Sequence, residues 1–185
     1  IFVTETLTGW TITASTGNPI QPFASNTSTG IVVRSTITAP TIQPAVALSS
    51  DSIKWLWTDN SDNETGFGIR DGADVWVASV TTPNTTFYVE PGLIPNTQYT
   101  RSVRAYSVTG TSPSVTTSRY TLAAPPSSPV FSNVYGTSFT FSWNADGNPG
   151  TTPYFVRVAT VSNFSLIYYA SQTTSTSVSL TSLPA

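Results

Sequence analysis

The chain has no cysteine, no histidine and no methionine, and Lys54 is its only lysine. Without cysteine, neither a disulfide framework nor a thiolate metal site can be built. Without histidine the usual nucleophile–base pairings are also excluded, and a serine–lysine pair would have to use Lys54, which falls in a strand-like run. No serine sits in a nucleophile-elbow pattern. Charge is scarce: seven basic and nine acidic residues leave 9% of the chain charged and a net charge of −2, far below the quarter usual for a soluble globular domain. The arginines (Arg34, Arg70, Arg101, Arg104, Arg119, Arg157) are scattered, which gives no electrostatic footprint for nucleic acid or an anionic membrane. No apolar run approaches the length of a membrane-spanning helix. The absences argue against an enzyme, a bound cofactor, a nucleic-acid partner and membrane insertion.

Serine and threonine, about a third of the chain, make a polar but uncharged surface that suits an extracellular or cell-surface setting. Ile1 is not an initiating methionine, and the chain is expected to be a processed or excised piece of a longer precursor.

Helical periodicity is missing, and short alternating runs rich in Val, Ile, Thr, Tyr, Phe and Trp recur between Gly, Pro, Asn and Asp clusters. The expected class is all-β. One passage occurs twice: Ser52-Ile53-Lys54-Trp55-Leu56-Trp57-Thr58 returns about 86 residues later as Ser138-Phe139-Thr140-Phe141-Ser142-Trp143-Asn144, each copy preceded by a proline joint, Ala39-Pro40 and Pro125-Pro126. In both copies the odd positions share one strand face, so one face is core and the other wet. Val75 to Val80 and Phe155 to Val161 continue the pattern, and Asp71-Gly72 and Asp146-Gly147 supply turn chemistry.

Trp57-Thr58-Asp59-Asn60-Ser61-Asp62-Asn63-Glu64-Thr65-Gly66-Phe67, followed by Leu93-Ile94-Pro95-Asn96-Thr97-Gln98-Tyr99-Thr100-Arg101-Ser102-Val103-Arg104-Ala105-Tyr106, closely resembles a fibronectin type III domain. The resemblance implies immunoglobulin-like β-sandwiches in tandem. It places Trp57 and Trp143 on second strands at the centre of the core, and it makes Tyr99 open the sixth strand with its hydroxyl capping a corner upstream. The variant of the loop after Trp57 resembles bacterial surface repeats. Such a fold hosts many unrelated roles and carries little functional information by itself.

Residues 41–122 are expected to form one complete domain, and 126–185 a second lacking its last two strands. Phe141, Trp143 and the inward residues of Tyr154 to Val158, Val156 among them, should then lose part of their cover and leave a strand edge open. Three explanations stand side by side: the residues are a window onto a longer chain, a neighbouring copy donates the missing strands, or residues 1–38 fold back to supply them. That segment contains no Thr-x-Tyr run, yet residues 30–37 precede Ala39-Pro40 much as residues 114–120 precede Pro125-Pro126. It reads as the tail of an earlier repeat or as exchanged strands.

Few residues suggest chemistry. Asp59, Asp62 and Glu64 form the densest acidic loop and are candidate oxygen ligands for calcium, although Asx turns explain the composition without metal. Trp76 breaks parity with its valine neighbours and is a candidate interface or sugar-stacking residue. Four Asn-x-Ser/Thr triplets begin at Asn26, Asn63, Asn84 and Asn163. The expected function is a non-catalytic structural or adhesive repeat segment of a secreted or surface protein, self-associating or joined to neighbouring repeats and assembling into a filament or sheath by strand complementation. The alternative is a carbohydrate-binding or spacer module of a secreted polysaccharide-degrading enzyme, with surface glycans as partner.

Overall fold

The computed structural model describes residues 10–12 and 33–183, with side chains from Thr36 onward. Much of the expected 1–38 segment, and the triplet at Asn26, lie outside the described residues. All regular structure among the described residues is β-strand. The strands are β1 (Trp10–Ile12), β2 (Val33–Ser35), β3 (Thr41–Ala47), β4 (Ile53–Thr58) and β5 (Gly66–Asp71). They continue with β6 (Trp76–Val80), β7 (Phe87–Glu90), β8 (Gln98–Ser107), β9 (Gly110–Thr111) and β10 (Val115–Tyr120). The last five are β11 (Ser127–Tyr135), β12 (Ser138–Asn144), β13 (Tyr154–Ala159), β14 (Ile167–Thr173) and β15 (Ser177–Leu180).

These strands form separate antiparallel sheets. Among the described residues β1 and β2 pair only with each other, Trp10 opposite Ser35 and Ile12 opposite Val33. Between the proline joints run the sheets β3-β4-β7 and β10-β8-β5-β6, with β9 added to β8. After the second joint come β11-β12-β15 and β13-β14. The contacts divide the chain into two compact units: one holds the described residues up to Gln43 with Trp57–Thr86 and Arg101–Thr117, the other Pro44–Leu56, Phe87–Thr100 and the chain from Ser118 on.

The period-2 pattern becomes burial directly. Along β4, Ile53, Trp55 and Trp57 are buried while Lys54 and Leu56 are partly exposed. In the first unit Trp57 meets Phe67 with ring centroids 5.2 Å apart, and Ile69, Val103 and Ala105 are fully buried beside them. Each large side chain so buried contributes about 1.5–3 kcal/mol. In the second unit Trp55 donates its indole N–H to Glu90 Oε2 at 2.8 Å, a charge-assisted bond that satisfies both groups in the interior. β6 begins at Trp76 rather than Val75 because Asp71 Oδ1 accepts the N–H groups of Ala73 and Val75, both at 2.9 Å, and folds the chain back.

Candidate functional site: an open sandwich

After the second joint, the alternation of β12 puts Phe139, Phe141 and Trp143 on one face. Phe131 of β11 lies opposite Phe141, while Val178 and Leu180 of β15 lie opposite Phe141 and Phe139. The rings form a continuous row: Phe131 to Phe141 at 4.9 Å, Phe141 to Trp143 at 5.5 Å, and Trp143 edge-on to Tyr154 of β13 at 5.4 Å. β13 pairs through Tyr154 to Ala159 with β14, and no other described strand pairs with it. By contrast β5 is paired on both sides, with β6 through Phe67 to Arg70 and with β8 through Gly66 to Asp71.

A groove of about 750 Å3 opens beside β13, lined among others by Pro126, Pro129, Phe141, Trp143, Tyr154 and Val156. Exposure around the groove is uneven. Trp143 and Val156 are each 8% exposed and Phe141 is half-buried, because Trp143 packs on Tyr154 and closes the centre. The exposed apolar surface lies toward β11, where Phe131 is 62% and Tyr135 72% exposed, and on the outer face of β13, where Phe155 is 60% exposed. The buried hydroxyl of Tyr154 on the groove wall has no hydrogen-bond partner, a cost of about 1–3 kcal/mol.

At the start of β8, the Tyr99 hydroxyl accepts the backbone N–H of Ile94 at 2.8 Å, which ties the loop to the strand that follows. Tyr99 is half-buried rather than fully enclosed; its ring lies at a corner. A two-domain fibronectin type III segment of chicken tenascin is similar in structure, with a TM-score of 0.55 at 17% identity over 78% of this chain and 83% of that one. The chain has the fold of tandem fibronectin type III domains. FN3tt is also similar, 22% identical over 46% of this chain and 98% of that one with a TM-score of 0.39, as are the FN1–FN3 domains of chicken CNTN1, 19% identical over 82% and 60% with a TM-score of 0.41. No protein-family model and no curated protein matches the chain.

The fibronectin type III strands carry two further features that sequence reasoning did not find. The first is the joint at residues 121–126. Thr121 Oγ1 donates to Ile94 O at 2.7 Å and accepts from Thr97 N at 3.0 Å, and the Asn148 side chain pairs with both backbone groups of Ala124 at 2.8 and 2.9 Å. Asn96 Nδ2 donates to Thr152 Oγ1 at 2.9 Å. Asn148 is buried. Its place directly after the Asp146-Gly147 turn, where both residues have positive φ, was the only signal in the sequence.

The second feature surrounds Trp76. Gly66 and Gly68 of β5 leave no side chain on the outer face; the Tyr106 ring covers Gly66 and the Trp76 ring covers Gly68, so closely that a Cβ there would lie 2.7 Å from the indole. The Arg70 guanidinium stacks on Trp76 at 4.3 Å, and Asp74 binds both Arg70 and Arg104, the latter at 2.8 Å. Trp76 is 52% exposed, an aromatic plate held by charged neighbours.

The acidic loop is organised by internal bonds. Asp59 Oδ1 accepts Ser61 N–H at 3.0 Å, Ser61 Oγ donates to Asn63 Oδ1 at 2.8 Å, and buried Glu64 accepts Asn84 N–H at 3.0 Å. Asp62 points to solvent. Burial, opposed by the Ser61 N–H and reinforced by the nearby Glu64 charge, holds the Asp59 carboxyl above its ordinary pKa. Among the described residues no group of three acidic side chains is placed to hold a metal ion, and no helix is long and apolar enough to cross a membrane.

Proposed function

We propose that this chain is a non-catalytic structural or adhesive repeat segment of a secreted or cell-surface protein, bacterial by its loop variant, whose copies assemble into a filament or sheath. The observation that supports this reading is the exposed apolar surface of Phe131, Tyr135 and Phe155 near an apolar groove, since contiguous exposed apolar surface marks sites of protein association. Its partners are proteins of its own kind. The absence of histidine and cysteine speaks against catalysis, and the scattered arginines speak against nucleic acid.

The test is the mass of the native particle by light scattering together with the intact mass of its chain. Large assemblies of the chain support the reading; a monomer overturns it. A second reading, a glycan-binding or spacer module beside a polysaccharide-degrading enzyme, is favoured by the exposed, arginine-backed plate of Trp76. Glycan affinity lost in Trp76→Ala supports that reading, and no binding across a broad glycan set removes it.

A further inference from the structure

Gly66, Gly68 and Arg70 alternate along β5 with the fully buried Phe67 and Ile69, so they mark its outer face. Across that face Gly68 lies between Ser79 of β6 and Arg104 of β8, and Arg70 is paired with Trp76. The strip at Gly68 is bare, and two side chains converge on it. The benzo edge of Trp76 lies 2.7 Å from where a Cβ would stand, and Arg104 Cγ lies 3.7 Å from the same point. Arg70 stacks on the indole at 4.3 Å. So held, the ring still leaves 52% of its surface to solvent. A plate fixed before any ligand arrives loses little side-chain entropy on binding.

Asp74 fixes the charges beside the plate. It stands in the turn between β5 and β6 with φ 62. Its backbone O accepts Arg70 Nη1 at 2.7 Å, its Oδ2 lies 3.3 Å from the same nitrogen, and its Oδ1 accepts Arg104 Nη2 at 2.8 Å. These bonds use one terminal nitrogen of each guanidinium, so Arg70 Nη2 and Arg104 Nη1 keep their donors for an outside acceptor. The Nε atoms of both arginines are buried without a partner. Two arginines against one aspartate leave a surplus positive charge at the rim of the ring, in a chain whose net charge is −2. The neighbouring Asp71 has its own counter-charge, Arg101, opposite it on β8. At the other end of the strip Tyr106 Oη and Ser79 Oγ form a hydroxyl pair at 2.9 Å. From Arg70 to Gly66 the strand runs about 13 Å, longer than one sugar ring.

We infer that this face binds an anionic polysaccharide built from uronate residues. One pyranose ring stacks its C–H face on Trp76, its carboxylate takes the outward N–H groups of Arg70 and Arg104, and the adjoining ring reaches the hydroxyls of Tyr106 and Ser79. The ligand follows from the mixture of groups: an apolar plate selects a ring, and a pair of planar guanidiniums selects a planar carboxylate. A neutral glycan satisfies the plate and leaves the surplus charge unused. Two basic residues are too few for the phosphate track of a nucleic acid. The inference rests on the glycan-binding reading of Trp76 and adds to it the acidic class of sugar and the residues that select it.

The test is calorimetric titration of the full chain with an oligogalacturonate and with its methyl ester, which has the same rings without the charge. The acid is expected to bind more tightly than the ester, and less tightly as salt is added. Trp76→Ala should weaken the acid about tenfold, Trp76→Phe should recover part of that loss, and urea midpoints report whether each variant is folded. Arg104→Gln should weaken the acid about tenfold and leave the ester unchanged. If the ester or another neutral glycan binds through Trp76 as tightly as the acid, the uronate class is overturned and the glycan reading stands. Acid binding that survives Trp76→Ala or Arg104→Gln undiminished overturns this site. No binding of the acid, the ester or a broad set of neutral glycans overturns both.

Discussion

β5 and β13 stand at the same place in two copies of one sandwich and differ in their neighbours. β5 has a strand on each side, and Gly66 to Ile69 are buried in succession, the glycines beneath Tyr106 and Trp76. Among the described residues β13 has a strand on one side, and its burial alternates, Tyr154 and Val156 in, Phe155 and Arg157 out. The inward face is thus fixed locally by the period of the strand, whereas protection of the edge and of the outer face is supplied by strands distant in sequence. The central contact of Trp143 on Tyr154 forms from strands on either side of the core, independently of what lies along the other edge of β13.

The sharpest way to break the comparison is to truncate the two equivalent tryptophans. Trp57→Ala should cost about 3–5 kcal/mol, because Trp57 is 2% exposed within a closed core. Trp143→Ala should cost visibly less, since its site adjoins a groove that can relax or admit water. Urea unfolding of the two variants measures the difference, and equal losses would mean that the second sandwich is closed in solution.

A smaller effect tests whether the open copy leans on its joint. Asn148→Ala leaves both backbone groups of Ala124 without the side chain that pairs with them, a cost of about 1–3 kcal/mol. Amide exchange at Ala124 should accelerate, and unfolding of residues 126–183 should separate from that of the preceding strands.

Both tryptophans could be placed by reading the sequence, because alternation over Ile53–Trp57 and Phe139–Trp143 announces a buried face. The Tyr99 corner was legible only through the resemblance to fibronectin type III domains, whose Leu-x-Pro-x-Thr-x-Tyr run it matches. The joint was not, because Asn148 and Thr121 reach backbone atoms of Ala124 and Ile94 more than twenty residues away, and backbone atoms leave no mark in composition. The plate at Trp76 was half legible: the parity break showed that the ring leaves the core, but not that two glycines on the next strand receive it.

Tyr99→Phe removes one bond, from Ile94 N–H, and should cost about 0.5–1.5 kcal/mol, read as a shift in the urea midpoint with unchanged slope. The smallest effect belongs to Asp59. Its folded pKa is raised above the unfolded value, chiefly by burial and partly by Glu64, so the ionised carboxylate weakens the fold at neutral pH and protonation relieves it. Asp59→Asn, which keeps an oxygen for Ser61, should be slightly more stable than the parent at pH 7. The advantage should shrink as the pH falls through the raised folded value and vanish below the ordinary Asp range, which thermal melts from pH 7 to 3 would follow.

Connections between domains are where secreted proteins are usually cut, because a protease must draw several residues of extended chain into its cleft. At Ala123–Pro126 the chain offers no such slack: Leu122 N–H is held by Ser49 O, both polar groups of Ala124 are taken by Asn148, and two prolines follow. The junction is therefore a poor substrate, and digestion should begin instead in the turn at residues 160–166, where Phe164 and Leu166 stand half or more exposed.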